Sequence, residues 1–534
     1  MGSNLMSALR RWLPWVSSAL LVSLGLTWAD PSKATWPGFF GFSALALLAA
    51  GVLAFSWQLT AADAAPRAVT MAFLVGLALR LAVGVGLFRG LPIYGYDTKP
   101  QGQGYVFYDA YARDTDAWAR ARSDQPLINA FTERKTSDQY GGLLYLSSAA
   151  YRYLSDGYHR PLLIVMLAAS VSSLAVLFVW GFGGMVFGGT IGVVAAWVVA
   201  LFPDNVLLGA SQMREAFIIP GLALALYGYG RMRIGDSRGG LWAAAVGGAV
   251  ALFVSPPYGL LAWLLFGGLW LLDSRLSRRA SVWFLAGLSV ALLLAAVLTM
   301  IAWSSIGGMT SDSPAGLFFE WVSAGALFQL SQLEAGSGWV QKMFALTPGW
   351  AHLPLATGYG LIQPFLPAAL ADNSGATIWR TIAIWRALGW FVLLPSLIYA
   401  PLAALRAVRR RRILLFLALV VWAAALLASF RAAGDQWDNP RYRTALLAPQ
   451  AILAAWAWVR ARRAGDRWLG RAYAAVFGSV LIFLQWYVGR YYGTPRLNLN
   501  ETLAVVVGFL ILYVGTSWGL DLRNRRGSGG ESSA

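Results

Sequence analysis

The chain contains no cysteine. That removes disulfides, thiolate nucleophiles and cysteine-ligated zinc together. Charge is also scarce: 12% of the 534 residues are charged, against 58% hydrophobic. A soluble domain carries about 25% charged residues, so no water-exposed surface of ordinary size can be built here. Histidine is limited to His159 and His352, and lysine to Lys33, Lys99, Lys135 and Lys342. Two distant histidines do not make a metal site. There is no phosphate loop and no dinucleotide fingerprint, and the basic connections are too short and simple to hold a nucleotide. No polar stretch is long enough to form a separate soluble domain.

What is present is apolar and long. Runs able to cross a bilayer need roughly 17–25 residues, and about fourteen candidates (12–14) meet that length. They begin near Trp12, Gly38, Ala68, Pro161, Phe187, Ala216, Gly240, Leu260, Ser281, Ala387, Ile413, Thr444, Ala472 and Thr502. The sequence therefore predicts an all-α polytopic membrane protein. The net charge of +18 would suit a nucleic-acid partner until the charges are placed. Arginines cluster in alternate connections: Arg10 and Arg11, Arg231 to Arg238, Arg275 to Arg279, Arg406 to Arg412, Arg460 to Arg471, and Arg523 to Arg526. With Arg67, all fall on one side of the alternating topology, which the positive-inside rule makes the cytoplasm. Both termini then lie in the cytoplasm, the acids gather mostly outside, and no nucleic acid is implied. The arginine- and alanine-rich, lysine-poor composition suggests a bacterial inner membrane.

Two long outer loops are expected, over 89–160 and 304–386. The first carries two predicted interfacial helices, one around Tyr105 to Arg120 and one from Gly142 to Leu154. The domain plan is two N-terminal helices over 1–67, a catalytic core over 68–460, two C-terminal helices over 461–522, and a disordered cytoplasmic tail over 523–534.

Three polar sets should meet on the outer face. They are Asp109, Asp114 and Asp116; Arg214 with Glu215; and the segment Asp435 to Arg443, which holds Asp438, Arg441 and Arg443. A carboxylate there can deprotonate an acceptor hydroxyl while guanidinium groups hold a departing phosphate. The bland reading is ion pairing at helical spacing, Asp109 with Arg113 and Asp116 with Arg120. Hard-cation binding by Asp114 and Asp116 is a further option. Arg80 lies mid-span, where a charge is expensive and is either functional or a structural ion-pair partner.

In their order these pieces resemble the GT-C superfamily of membrane glycosyltransferases, especially bacterial relatives of the protein O-mannosyltransferases and of the lipid A aminoarabinose transferase. The matching pieces run from Leu79-Arg80-Leu81 through Asp109-Ala-Tyr-Ala-Arg-Asp114 and Tyr140-Gly-Gly-Leu-Leu-Tyr145. They continue through Leu201-Phe-Pro203 and Ser211-Gln212-Met-Arg214-Glu215 to Pro440-Arg441-Tyr442-Arg443 and Pro449. Two spans precede the matching one, which departs from the family pattern. The resemblance implies transfer of a sugar from a polyprenyl-phosphate-linked donor to a glycan, lipid or protein acceptor outside the cytoplasm, with inversion. It implies Asp109 as catalytic acid/base, with Asp114 next, and leaves metal use open. Asp116 is the third candidate, and Arg214, Arg441 and Arg443 are the candidates for holding the donor phosphate. Two other readings stand beside it: an O-antigen-type polymerase or ligase, and a transporter or lipid flippase.

Overall fold

The computed structural model describes residues 2–61, 65–132, 137–273, 344–373, 375–432 and 435–530, with five isolated positions between 274 and 343. The expected span near Ser281 and the first half of the outer loop 304–386 lie outside the described residues. Among the described residues every regular element is a helix. Lipid offers the backbone no hydrogen bonds, so a spanning segment must satisfy its own amides, and helices do so locally.

The N-terminal part contains α1 (Gly2–Ala29), α2 (Trp36–Ala61), α3 (Arg67–Tyr94) and the single turn α4 (Lys99–Gly102). Next come the short helices α5 (Tyr108–Ala121) and α6 (Gly142–Leu154), where the first outer loop was expected to carry them. The centre comprises α7 (Pro161–Phe187), α8 (Gly189–Leu201), α9 (Pro203–Gly209), α10 (Glu215–Arg233), α11 (Ser237–Val254) and α12 (Pro256–Leu272). Proline opens α7, α9 and α12, where its missing N–H costs nothing. The remainder is α13 (Gly349–Leu361), α14 (Leu366–Ala371), α15 (Thr377–Leu405), α16 (Arg411–Ala432), α17 (Asp438–Thr444), α18 (Leu447–Ala464), α19 (Trp468–Tyr492) and α20 (Leu499–Gly530).

Nine described helices are long and apolar enough to cross a membrane, or ten if the pair α8 and α9, bent by 59°, counts as one span. The chain is thus a multi-pass membrane protein. The count differs from the expected fourteen for a physical reason. Helices α10 and α18, expected as spans from Ala216 and Thr444, fall short of the apolarity of the other spans. Helix α10 is almost wholly buried among neighbouring helices and α18 is buried from Leu447 to Ala457, and a helix sheathed by protein need not be apolar to lipid. Helix α12 is apolar but only 17 residues long.

The centre is packed through small residues. A Cβ on Gly228 would lie 2.5 Å from the Gly240 carbonyl oxygen, and one on Gly247 would lie 2.5 Å from that of Gly221. Helices α10 and α11 therefore touch backbone to backbone, as small-residue stripes allow in lipid.

Arg80 explains how the bend after α8 survives inside the protein. Pro203 ends α8 and leaves carbonyls without amide partners. The fully buried Arg80 donates to Val199 O at 3.1 Å and Ala200 O at 3.3 Å, and also to Gly76 O and Ser172 Oγ. Asn205 Nδ2 adds a bond to Val199 O at 2.8 Å. A guanidinium at a helix C-terminus also meets the negative end of the macrodipole. Its partners are carbonyls and a hydroxyl, so Arg80 is a structural clamp on the broken helix.

Candidate active site

Helix direction sets which ends meet. Helix α3 begins at Arg67 and α16 at an arginine-rich connection, and both run toward the site, while α10 and α18 run from the site back toward arginine-rich connections. A helix of 19 residues spans about 28 Å, so the basic connections lie a full helix length from the site.

At the site end, α17 carries Arg441. Pro440 is tolerated because it sits in the first turn. Arg441 Nε donates to Glu215 Oε1 at 2.7 Å, and Nη1 donates to Asp109 Oδ2 at 2.8 Å and Asp438 Oδ1 at 3.4 Å. Three chain segments hundreds of residues apart thus converge on one guanidinium. Arg441 and Glu215 are buried, at 6% and 4% side-chain exposure, while Asp109 stays 44% exposed. Glu215 opens α10, where the helix dipole favours an acid.

Burial alone would raise the Asp109 carboxyl. Arg441, with Arg113 and Arg214 behind it, outweighs that and holds it below the usual aspartate value. Asp438 goes the other way, because burial raises it more than Arg441 lowers it. Burial would lower Arg441, but Glu215 and Asp109 raise it well above the usual arginine value, so it stays charged.

These groups open on a pocket of about 370 Å³, lined by Tyr96, Phe107, Tyr108, Asp109, Trp379, Asp435, Trp437, Asp438 and Arg441, among others. A larger cavity of about 1340 Å³ shares Tyr96, Trp379, Asp435 and Trp437 with it. The shared wall is rigid. Tyr96 stacks on Trp379, Trp379 meets Trp437 edge-on at 4.9 Å, and Trp379 Nε1 donates to Gln101 Oε1 at 2.8 Å. Arg386, paired with Asp204 at 2.5 Å, covers Trp437 at 4.2 Å.

The other candidate residues lie elsewhere. Asp114 is buried and accepts hydrogen bonds from Tyr105 and Tyr151, with His159 Nε2 at 2.6 Å. Asp116 accepts from the Ser137 hydroxyl. The two carboxylates therefore serve different partners, and among the described residues no group of three or more histidines or acids is placed to hold a metal. Arg214 lies over the Tyr140 ring at 5.2 Å and 4.0 Å from Asp138. Arg113 reaches Asp138 at 3.7 Å and the carbonyls of Gln212 and Ser137, while the ion pair of Asp109 goes to Arg441. Arg443 is turned away from the pocket, fully buried over the Trp390 ring at 3.4 Å, with Nη1 on the Leu361 carbonyl. His352 contacts the carbonyls of Phe344 and Thr347.

Sequence reasoning gave no separate role to Glu215, Asp438 or Asp138. The signal for Asp438 was its three-residue spacing from Arg441. Glu215 offered only its place at a helix start.

No protein-family model and no curated protein matches the sequence. The similar solved structures include the following two. The archaeal oligosaccharyltransferase AglB from Archaeoglobus fulgidus, in complex with an inhibitory peptide and a dolichol-phosphate, is 15% identical. That match covers 83% of this chain and 54% of AglB, with a TM-score of 0.37. The apo form of the Archaeoglobus fulgidus oligosaccharyltransferase is 14% identical over 82% of this chain and 54% of that one, with a TM-score of 0.36. The chain spans about half the length of these relatives. Likenesses this shallow assign neither a family nor an activity to the chain.

Proposed function

We propose that this protein is a membrane glycosyltransferase of GT-C type, moving a sugar from a polyprenyl-phosphate-linked donor to an acceptor on the non-cytoplasmic face of a bacterial inner membrane. One observation carries the reading. An acid and a guanidinium share a small pocket at the helix ends away from the basic connections, and that pocket adjoins a large cavity across a common aromatic wall. Water-soluble and lipid-borne reactants can meet only at such a boundary.

In the proposed step Asp109 is the general base. The acceptor hydroxyl gives its proton to the Asp109 carboxylate as its oxygen bonds to the anomeric carbon. The bond from that carbon to the phosphate oxygen breaks on the opposite face. The electron pair leaves with the lipid phosphate, and the configuration inverts. Glu215 fixes Arg441 from the buried side, and Arg441 keeps Asp109 ionised and in place. Of the three arginines expected to hold the phosphate, Arg441 lines the pocket, whereas Arg214 and Arg443 do not.

The test is sugar transfer by the purified protein from a panel of labelled polyprenyl-phosphate sugars, with wild type beside Asp109→Asn. Transfer by wild type is expected to fall by roughly 10²–10⁴ in the variant, the range for a general base. No turnover with any donor would remove the reading. Loss on substituting Arg441 while Asp109→Asn keeps full activity would favour the polymerase or ligase.

A further inference from the structure

We infer that the lipid phosphate of the donor sits outside the acid pocket, in the 1340 Å³ cavity beside it, held by Arg490 and Arg496, which flank one tryptophan, with Arg380 lining the same cavity. The inference rests on the functional reading above and deepens it.

Charge in the acid pocket comes first. Among the described residues that line it, Arg441 is the only cation; it already faces Glu215, Asp109 and Asp438, and Asp435 lines the same space. A phosphate brought there meets more negative charge than positive. Among the described residues lining the larger cavity, three arginines stand against Asp372 and Asp435. Arg490 and Arg496 both flank the Trp486 ring, at 5.7 and 5.4 Å, and neither forms an ion pair with a described carboxylate. Arg380 is anchored through Nη2 on the Leu370 carbonyl at 3.1 Å. Guanidinium forks not paired with a described carboxylate suit phosphate oxygens.

The rest of the cavity fits the other half of an amphipath. Phe365, Phe483, Trp486, Leu499 and Leu503 contribute apolar wall. Leu499 and Leu503 belong to α20, the least buried of the described spans, at 11%, so this wall borders the lipid-facing surface. An isoprenoid chain can enter there, its phosphate stopping at the arginines. The sugar beyond it would reach past Tyr96 and Trp379 toward Asp109. Charge complementarity and the shared wall select a lipid phosphate as the occupant.

The test uses the full-length protein in detergent and a fluorescent polyprenyl monophosphate that bears no sugar, so that binding is read without chemistry. The Arg490→Gln/Arg496→Gln protein should bind it roughly tenfold to a hundredfold more weakly than wild type, the loss expected for one or more charge-assisted hydrogen bonds. Arg441→Gln should bind within about threefold of wild type. Thermal unfolding of each variant checks that it is folded. Unchanged binding in the double variant, with loss in Arg441→Gln, would overturn the placement and leave the glycosyltransferase reading standing. Equal competition by phosphatidylglycerol would mean an ordinary lipid site and would overturn the assigned occupant. Failure of wild type to bind would overturn the inference together with the proposed donor class.

Discussion

Helix α5 carries Asp109 and Asp114 five residues apart, about 140° around the helix, and that rotation puts them in different chemistry. Asp114 is 1% exposed and has its oxygens taken by Tyr105, Tyr151 and His159, the last stacked on Trp118 at 5.1 Å. Burial, reinforced by the Asp114 charge, pushes both tyrosine hydroxyls well above their usual range, so they remain donors. Asp109 is half-exposed, takes one partner from a segment 332 residues away, and keeps an edge on a pocket. An acid whose two oxygens each accept from a buried tyrosine ties α5 to α6. An acid with a free edge can accept a proton. The sequence presents both as Asp in the same Ala-rich helix.

The largest effect on stability should come from Arg441→Met. It strands Glu215 as a buried carboxylate, whose Oε2 already lacks a hydrogen-bond partner, and such a loss costs about 3–5 kcal/mol. Unfolding in detergent should show it, whereas a Glu215→Gln/Arg441→Met double variant should recover part of the loss. Next is Asp114→Leu, which orphans the Tyr105 and Tyr151 hydroxyls at about 1–3 kcal/mol each. A wild-type unfolding midpoint in that variant would remove the structural role given to Asp114. Asp109→Asn should matter least for stability, under about 1 kcal/mol, because the pair is solvent-screened on one side.

The pH dependence sharpens the same contrast. Asp109 is held below its usual value, so its pairing contributes fully above the unfolded-state pKa of about 3.9. The contribution is lost as pH falls through the lower folded value. The small stability advantage of wild type over Asp109→Asn should therefore persist through neutral pH and vanish only in acid below about pH 4. An advantage that grew as pH fell from 6 to 5 would place a raised pKa on Asp109 and contradict the pairing.

Much of the architecture was legible because lipid-facing helices must be apolar along their length, as α2, α16 and α20 are. Helices α10 and α18 were harder, since their neighbours are protein and their apolarity is correspondingly lower. Arginine placement implied one common end for the three polar segments, and Arg441 does meet Asp109 and Glu215 there. The pairing within that end was not legible. Arg441 and Arg443 look alike in sequence, yet two residues is about 200° of helix, which sends one to Asp109 and the other to Trp390. Arg80 looked like a site or an ion-pair partner, because nothing in the sequence says that the bend at Pro203 leaves carbonyls needing a donor.

The central claim is that Asp109 does chemistry and Asp114 does not. Its most direct test is sugar-transfer turnover per folded molecule for Asp109→Asn beside Asp114→Asn, with wild type as reference. The account predicts a loss of roughly 10²–10⁴ for the first and retention within about tenfold for the second, whose amide oxygen still accepts from a tyrosine. A folded Asp114→Asn protein that has lost transfer, beside an Asp109→Asn protein that keeps it, would contradict the claim.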